Sequence, residues 1–187
     1  VPPILIALGL SMALYAGASY MERRQVQDRL EYDGAAMAKR VQDRLITHQA
    51  ILSSVAHFAE ANPGFSYDQF THFTQVSLRD HPDIFALSYN DAVSREALPA
   101  YEARITRSSP LGPFRVVERS ASRQMVPVAP RPDYVAVRYI VPLRGNVPAV
   151  GFDIQSEPLR RDAIARGRAS GKPAVTAPIQ LVQESAV

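Results

Sequence analysis

The chain has no cysteine, which excludes disulfide scaffolds, Cys-ligated zinc, iron–sulfur clusters and thiol catalysis, and leaves its redox compartment undetermined. Lysine is nearly absent as well. Lys39 and Lys172 are the only two among 21 basic residues, so the net charge of +3 comes from scattered arginine. Nucleic-acid binding would call for a clustered basic face, and no such partner is expected. The common catalytic signatures are missing: there is no HExxH, GxSxG, P-loop or GxGxxG. His48, His57, His72 and His81 fall at helical or loop positions, and His48 and His57, nine apart, share no helical face, so no metal pair is expected. No two carboxylates can be placed at general acid/base separation. The expectation is therefore a chain that is not itself an enzyme and carries no cofactor. Glycine (9) and proline (15) are ordinary in number, hydrophobic residues make up 47% and charged residues 21%, so disordered and collagenous readings fail and a packed core is expected. At 187 residues there is room for one domain and an appendage, not for a sensor and a catalytic output together.

What is present begins with residues 1–20, VPPILIALGLSMALYAGASY, without a single charge. About twenty apolar residues suffice for a helix to cross a bilayer, so a transmembrane helix is expected here. Small residues at Ala16, Gly17 and Ala18 leave a cleavable signal peptide open, and a buried helix of a soluble protein is the third reading. Arg23 and Arg24, taken alone, would put the remainder in the cytoplasm. From 21 to about 62 the only glycine is Gly34, and Val26, Leu30, Met37, Val41, Leu45, Leu52 and Val55 recur at helical spacing. This stalk helix carries Glu22, Arg24, Asp28, Glu31, Arg40 and Asp43 opposite the stripe. The stripe would pair with a second copy in a parallel dimer, or pack on its own domain, the reading favoured for residues 46–60.

Asn62-Pro63-Gly64 ends that helix, and Ser66 to Gln69 reads as a capping box opening a helix to about Arg79. Strands are expected at 84–90, with Phe85, Leu87 and Tyr89 on one face, and at 114–118, 134–143, 148–154 and 174–182. Ser94 and Ser156 are the expected caps of helices ending near Arg107 and Gly171. The two strands flanking Arg144-Gly145-Asn146 should pair antiparallel. The order implies an α+β domain of largely antiparallel sheet. In 149–154 a period of two sets Val150, Phe152 and Ile154 on one face against Ala149, Gly151 and Asp153 on the other. An acid beside two very small side chains is a candidate acceptor for ligand N–H groups, since a buried unpaired charge is costly. The alternative is that Asp153 accepts backbone N–H groups near the following helix.

Residues 134–184 resemble the CHASE domain, the extracytoplasmic sensor of membrane histidine kinases and nucleotide cyclases. The resemblance rests on Pro142-Leu143-x-Gly145-Asn146, Gly151-x-Asp153, the Arg-rich helix ending Ser170-Gly171-Lys172, and Thr176-Ala177-Pro178 followed by Leu181-Val182. Residues 50–73 and 81–102 fit the family's looser first half, and the resemblance spans about residues 45–187. The resemblance implies a transmembrane helix, a long stalk, PAS-like subdomains of which 63–187 is an incomplete part, and a second membrane helix leading to a histidine kinase of a two-component system or a diguanylate cyclase. It places the domain outside the bacterial inner membrane, against the Arg23/Arg24 cue. Plant cytokinin receptors carry the same domain. By an ungapped match their ligand-contacting acid falls on Asp153 and their backbone contact on Val175, with Thr176, Gly151 and Ala149 lining the site. The resemblance thus implies a small-molecule ligand, an adenine-type cytokinin among the options, and a homodimer through the stalk.

Overall fold

The computed structural model describes residues 2–109 and 111–185; the side chains of 184, 185 and part of the first 28 residues lie outside the described set. The chain divides into two units, Val1–Ile51 and Leu52–Val187. A single sixty-residue helix, α1 (Pro2–Ala61), supplies the described residues of the first and the start of the second.

Beyond its first turn α1 contains no proline, and it is rich in Ala, Leu, Met, Gln, Arg and Glu, which lose little side-chain entropy in a helix. Lys39 Nζ reaches Asp43 Oδ2 at 3.2 Å, an exposed i,i+4 pair contributing about 0.3–0.5 kcal/mol at most. Along the expected stripe Leu30, Met37, Val41, Leu45 and Leu52 are exposed, as is the opposite face at Glu31, Arg40 and Asp43, while Val55 is buried. The expected membrane span finds no support here. Residues 2–20 are helical, yet among the described residues no helix is long and apolar enough to cross a membrane. Val26, Asp28 and Glu22 lie outside the described side chains.

Packing is expected for residues 46–60; the end of α1, which belongs to the second unit, makes aromatic contacts there at Phe58. Phe58 stacks on Phe73 with centroids 4.3 Å apart and meets Phe65 edge-on at 5.1 Å. Asn62 closes the helix by donating its Nδ2 to the Phe58 carbonyl at 2.9 Å, and Pro63 cannot continue it. The capping box is present in full: Gln69 N donates to Ser66 Oγ, and Ser66 N to Gln69 Oε1, opening α2 (Tyr67–Asp80).

The sheet is smaller than the pattern predicts. β1 (Leu87–Ser94) begins three residues later than expected, leaving Phe85 outside it and exposed. Ser94 ends this strand; its Oγ still accepts the Ala97 N–H, but α3 (Leu98–Ser108) starts beyond that turn, where Pro99 suits an early helical position. The strand expected at 114–118 is shorter and later, β2 (Val117–Arg119), and pairs antiparallel with β3 (Met125–Pro127), where no strand is expected. β4 (Asp133–Val141) pairs antiparallel with β1.

The expected strand at 148–154 is reduced to a stitch. Val147–Ala149 and Ile154–Ser156 are 3₁₀ turns, and between them Phe152 bridges Val117 while Asp153 bridges Ala136. Gly151, at φ +83°, takes a left-handed conformation that interrupts an extended run. Its N–H donates to the Val137 carbonyl and its carbonyl accepts from Val117 N, joining β4 to β2. Ser156 does not cap the next helix. Its Oγ donates to the Asp153 carbonyl at 2.6 Å, and α4 (Pro158–Ser170) follows Glu157, ending at Gly171 in the left-handed region. The expected strand at 174–182 does not form. Pro173 and Pro178 lack N–H donors, and arginines hold the segment instead: Arg166 Nη2 donates to the Val175 carbonyl and Arg119 Nη2 to that of Leu181.

Helices and two antiparallel hairpin-sized sheets make an α+β unit. Among the described residues two buried clusters include residues of β4. One gathers Val93, Tyr101, Ile105, Phe114, Val116, Tyr134 and Ala136. The other holds Val137, Ile140, Ala149, Phe152 and Val182.

Candidate functional site

Asp153 sits where the stitch meets β4, fully buried. Its Oδ1 accepts the N–H groups of Val135 at 2.9 Å and Gln155 at 3.1 Å. These bonds match the backbone-acceptor alternative and fix the carboxylate's orientation. Oδ2 has no hydrogen-bond partner, and Arg131 Nη1 stands 3.4 Å away. The same guanidinium pairs with Glu118 through Nη2, so one cation lies between two carboxylates. Arg131 is further held over the Tyr134 ring at 5.8 Å, with its Nε donating to the Ala129 carbonyl. Burial pushes the Asp153 carboxyl above its usual value; the two N–H donors and Arg131 oppose that shift without cancelling it.

The other expected site residues are dispersed. Ala149 is buried and lines a cavity of about 220 Å³ with Val137, Phe152, Ile154, Arg160 and Val182. Thr176 lines a cavity of about 330 Å³ with Ile154, Arg160, Ala163, Gly167 and Lys172. Ile154 and Arg160 therefore border both spaces. Gly151 faces no vacant volume: a Cβ there would lie 2.2 Å from the Arg115 carbonyl oxygen, so glycine is required by close backbone approach. Val175 is exposed and its carbonyl is engaged by Arg166. No described cavity is bordered by all five residues, and none of the three is lined by Asp153.

Sequence reasoning did not single out Arg131, Glu118 or Arg160. Arg160 lies with its guanidinium 5.7 Å from the Phe152 ring centroid and donates Nε to Glu157 at 2.6 Å. A signal existed only for Arg138, the one charged residue within the apolar run 134–143. Chemically the Asp153 cluster is an anchor for N–H donors: Oδ1 takes two backbone N–H groups and Oδ2 faces the Arg131 guanidinium. Among the described residues no group of three or more His, Asp or Glu side chains is placed to hold a metal ion.

The buried Asp153 cluster thus sits at the junction of the two small sheets of an α+β unit. The family model of the CHASE domain matches residues 63–187, two thirds of the chain, and the chain belongs to that family. The CHASE domain is an extracellular sensory domain of signalling receptors and is not catalytic. No curated protein matches the chain.

Proposed function

We propose that the chain is the ligand-sensing part of a membrane receptor of histidine-kinase or diguanylate-cyclase type, lying outside the bacterial inner membrane. Membership of the CHASE family over 63–187 is the observation that carries this reading. In it, the two small sheets belong to a PAS-like subdomain, and the uncharged run 1–20 faces the membrane, an assignment that rests on the sequence alone. A small molecule with N–H donors, an adenine-type cytokinin being one such class, takes the place of Arg131 at Asp153 Oδ2. Ala149, Gly151, Val175 and Thr176 close around it as the domain rearranges. A ligand acts only through its different affinity for two states, and release of Arg131 from Asp153 gives two states a physical distinction. The exposed stripe of Leu30, Met37, Val41 and Leu45 supports a homodimer through the stalk, which receives the change.

A second reading keeps the dimer and discards the ligand: an ectodomain whose acid is purely structural. The hydrogen bonds from Val135 and Gln155 and the ion pair with Arg131 at Asp153 favour it. Thermal-shift titration of the full chain against adenine-type cytokinins and other small metabolites separates the two. A compound at one hundred times its Kd raises stability by about 2.7 kcal/mol, several degrees for a domain of this size. A shift lost in Asp153→Ala supports the sensor; no shift across the panel moves the reading to the structural ectodomain.

A further inference from the structure

We infer that the cavity beside Arg138 is a second binding site, independent of Asp153, for a small carboxylic acid with a compact apolar body. The register of the main sheet singles out this arginine. Tyr89 lies opposite Tyr139 and Asn90 opposite Val137, so Arg138 is the unpaired extra residue of a β-bulge. Bulges re-aim a side chain out of the regular alternation and are common beside binding sites.

The guanidinium that the bulge presents is held but not satisfied. It lies over the Tyr139 ring with Cζ 4.7 Å from the centroid, and Nη1 stands 3.5 Å from Asp91 Oδ2. That same carboxylate oxygen accepts the Tyr101 hydroxyl at 3.0 Å, so Asp91 is shared between two donors. Arg138 Nε, in contrast, is buried without any hydrogen-bond acceptor, in a side chain only 15% exposed. A buried donor left unmatched is costly, and an acceptor supplied from outside would recover that cost.

Space for such an acceptor adjoins the residue. A cavity of about 270 Å³ is lined by Arg138, Phe65, Tyr67, Ile105, Phe114 and Ile140, among others. It falls just under the usual range of ~300–1,000 Å³ for ligand pockets, which fits a small ligand. Arginine grips a carboxylate side-on through the parallel N–H bonds of Nε and Nη2, and Asp91 meets the fork on the Nη1 side. The edge that carries the unmatched Nε is the carboxylate-binding edge, and the aromatic and aliphatic walls accept the apolar remainder. Arg138 is the single charged residue among those lining this cavity, so it matches one carboxylate and the class is a monocarboxylate.

The test is calorimetric titration of the full chain with phenylacetate, benzoate and isovalerate, with phenylacetamide as the uncharged control. At least one acid should bind saturably, and the amide should bind at least about tenfold more weakly. Arg138→Lys keeps the charge near Asp91 but loses the fork, and should weaken the acid at least about tenfold. Leu111→Trp, at an exposed wall position, should block it, while Asp153→Asn should leave it unchanged. Absence of binding by all three acids, equal binding of the amide, or binding that survives both Arg138→Lys and Leu111→Trp overturns the inference. If Arg138→Lys does not fold by circular dichroism, Leu111→Trp decides alone.

Discussion

Gly151→Ala is the substitution that most severely tests the packing around the acid. Two effects act together. The residue has φ +83°, where an L side chain costs about 1–2 kcal/mol. The added Cβ would also lie 2.2 Å from the Arg115 carbonyl oxygen, a backbone atom that can yield only by moving the chain entering β2. That movement disturbs the bonds Gly151 N to Val137 O, at 2.8 Å, and Val117 N to Gly151 O, at 2.9 Å, each contributing about 0.5–1.5 kcal/mol. The expected loss is about 3–4 kcal/mol, or roughly 10–15 °C in Tm for a unit of this size. Gly145→Ala is the matched control, because Gly145 has φ +82° and nothing within 4 Å of a built Cβ, so only the conformational cost of about 1–2 kcal/mol applies. Urea or thermal unfolding of both variants by circular dichroism measures the difference. Equal destabilisation of the two would refute the close-approach argument.

Other expectations follow from the same contacts. Burial raises the Asp153 carboxyl in the native state, so the folded protein holds its proton more tightly than the unfolded chain; stability should fall as pH rises from the ordinary carboxylate range through the raised native value. In Asp153→Asn that component of the pH dependence should vanish from urea-unfolding curves taken between about pH 3 and 7; an unchanged slope would contradict the assignment. Phe58→Ala removes the stacked contact with Phe73 and the edge contact with Phe65, and should cost about 2–3 kcal/mol, whereas exposed His57→Ala should stay within about 0.5 kcal/mol, both read by urea unfolding. Because the native chain has no cysteine, Leu45→Cys can crosslink only between copies; oxidised dimer on non-reducing gels is expected for Leu45→Cys and not for Asp43→Cys on the charged face.

Long-period features were legible in the sequence, and features set by tertiary backbone contacts were not. The stalk and the start of α2 carry their causes locally, in a long run of helix formers without interior proline and in side chains that cap their own helix. β4 was readable because a nine-residue apolar strand has few alternatives. The segment 148–154 misled because its alternation is genuine while Gly151 is bent left-handed by the Arg115 carbonyl, a neighbour 36 positions away. Residues 174–182 have strand composition, yet their carbonyls are held by Arg119 and Arg166 rather than by a strand. Of the site, the acid was legible and its surroundings were not. Small neighbours of Asp153 read equally well as vacant volume and as close packing, and only the fold reveals that Gly151 is packed and that Arg131 stands at Oδ2. Nothing in the sequence places Arg131, 22 residues upstream, beside that acid.

The central claim is that a small molecule bound by the CHASE domain alters the stalk. Disulfide crosslinking of full-chain Met37→Cys and Leu45→Cys, run with and without the compound that most raises Tm in the thermal-shift panel, tests it most directly. The account predicts that the compound changes the crosslinking rate of at least one position and that Asp153→Ala abolishes the change. Identical rates at both positions, under a compound that stabilises the domain, would contradict it.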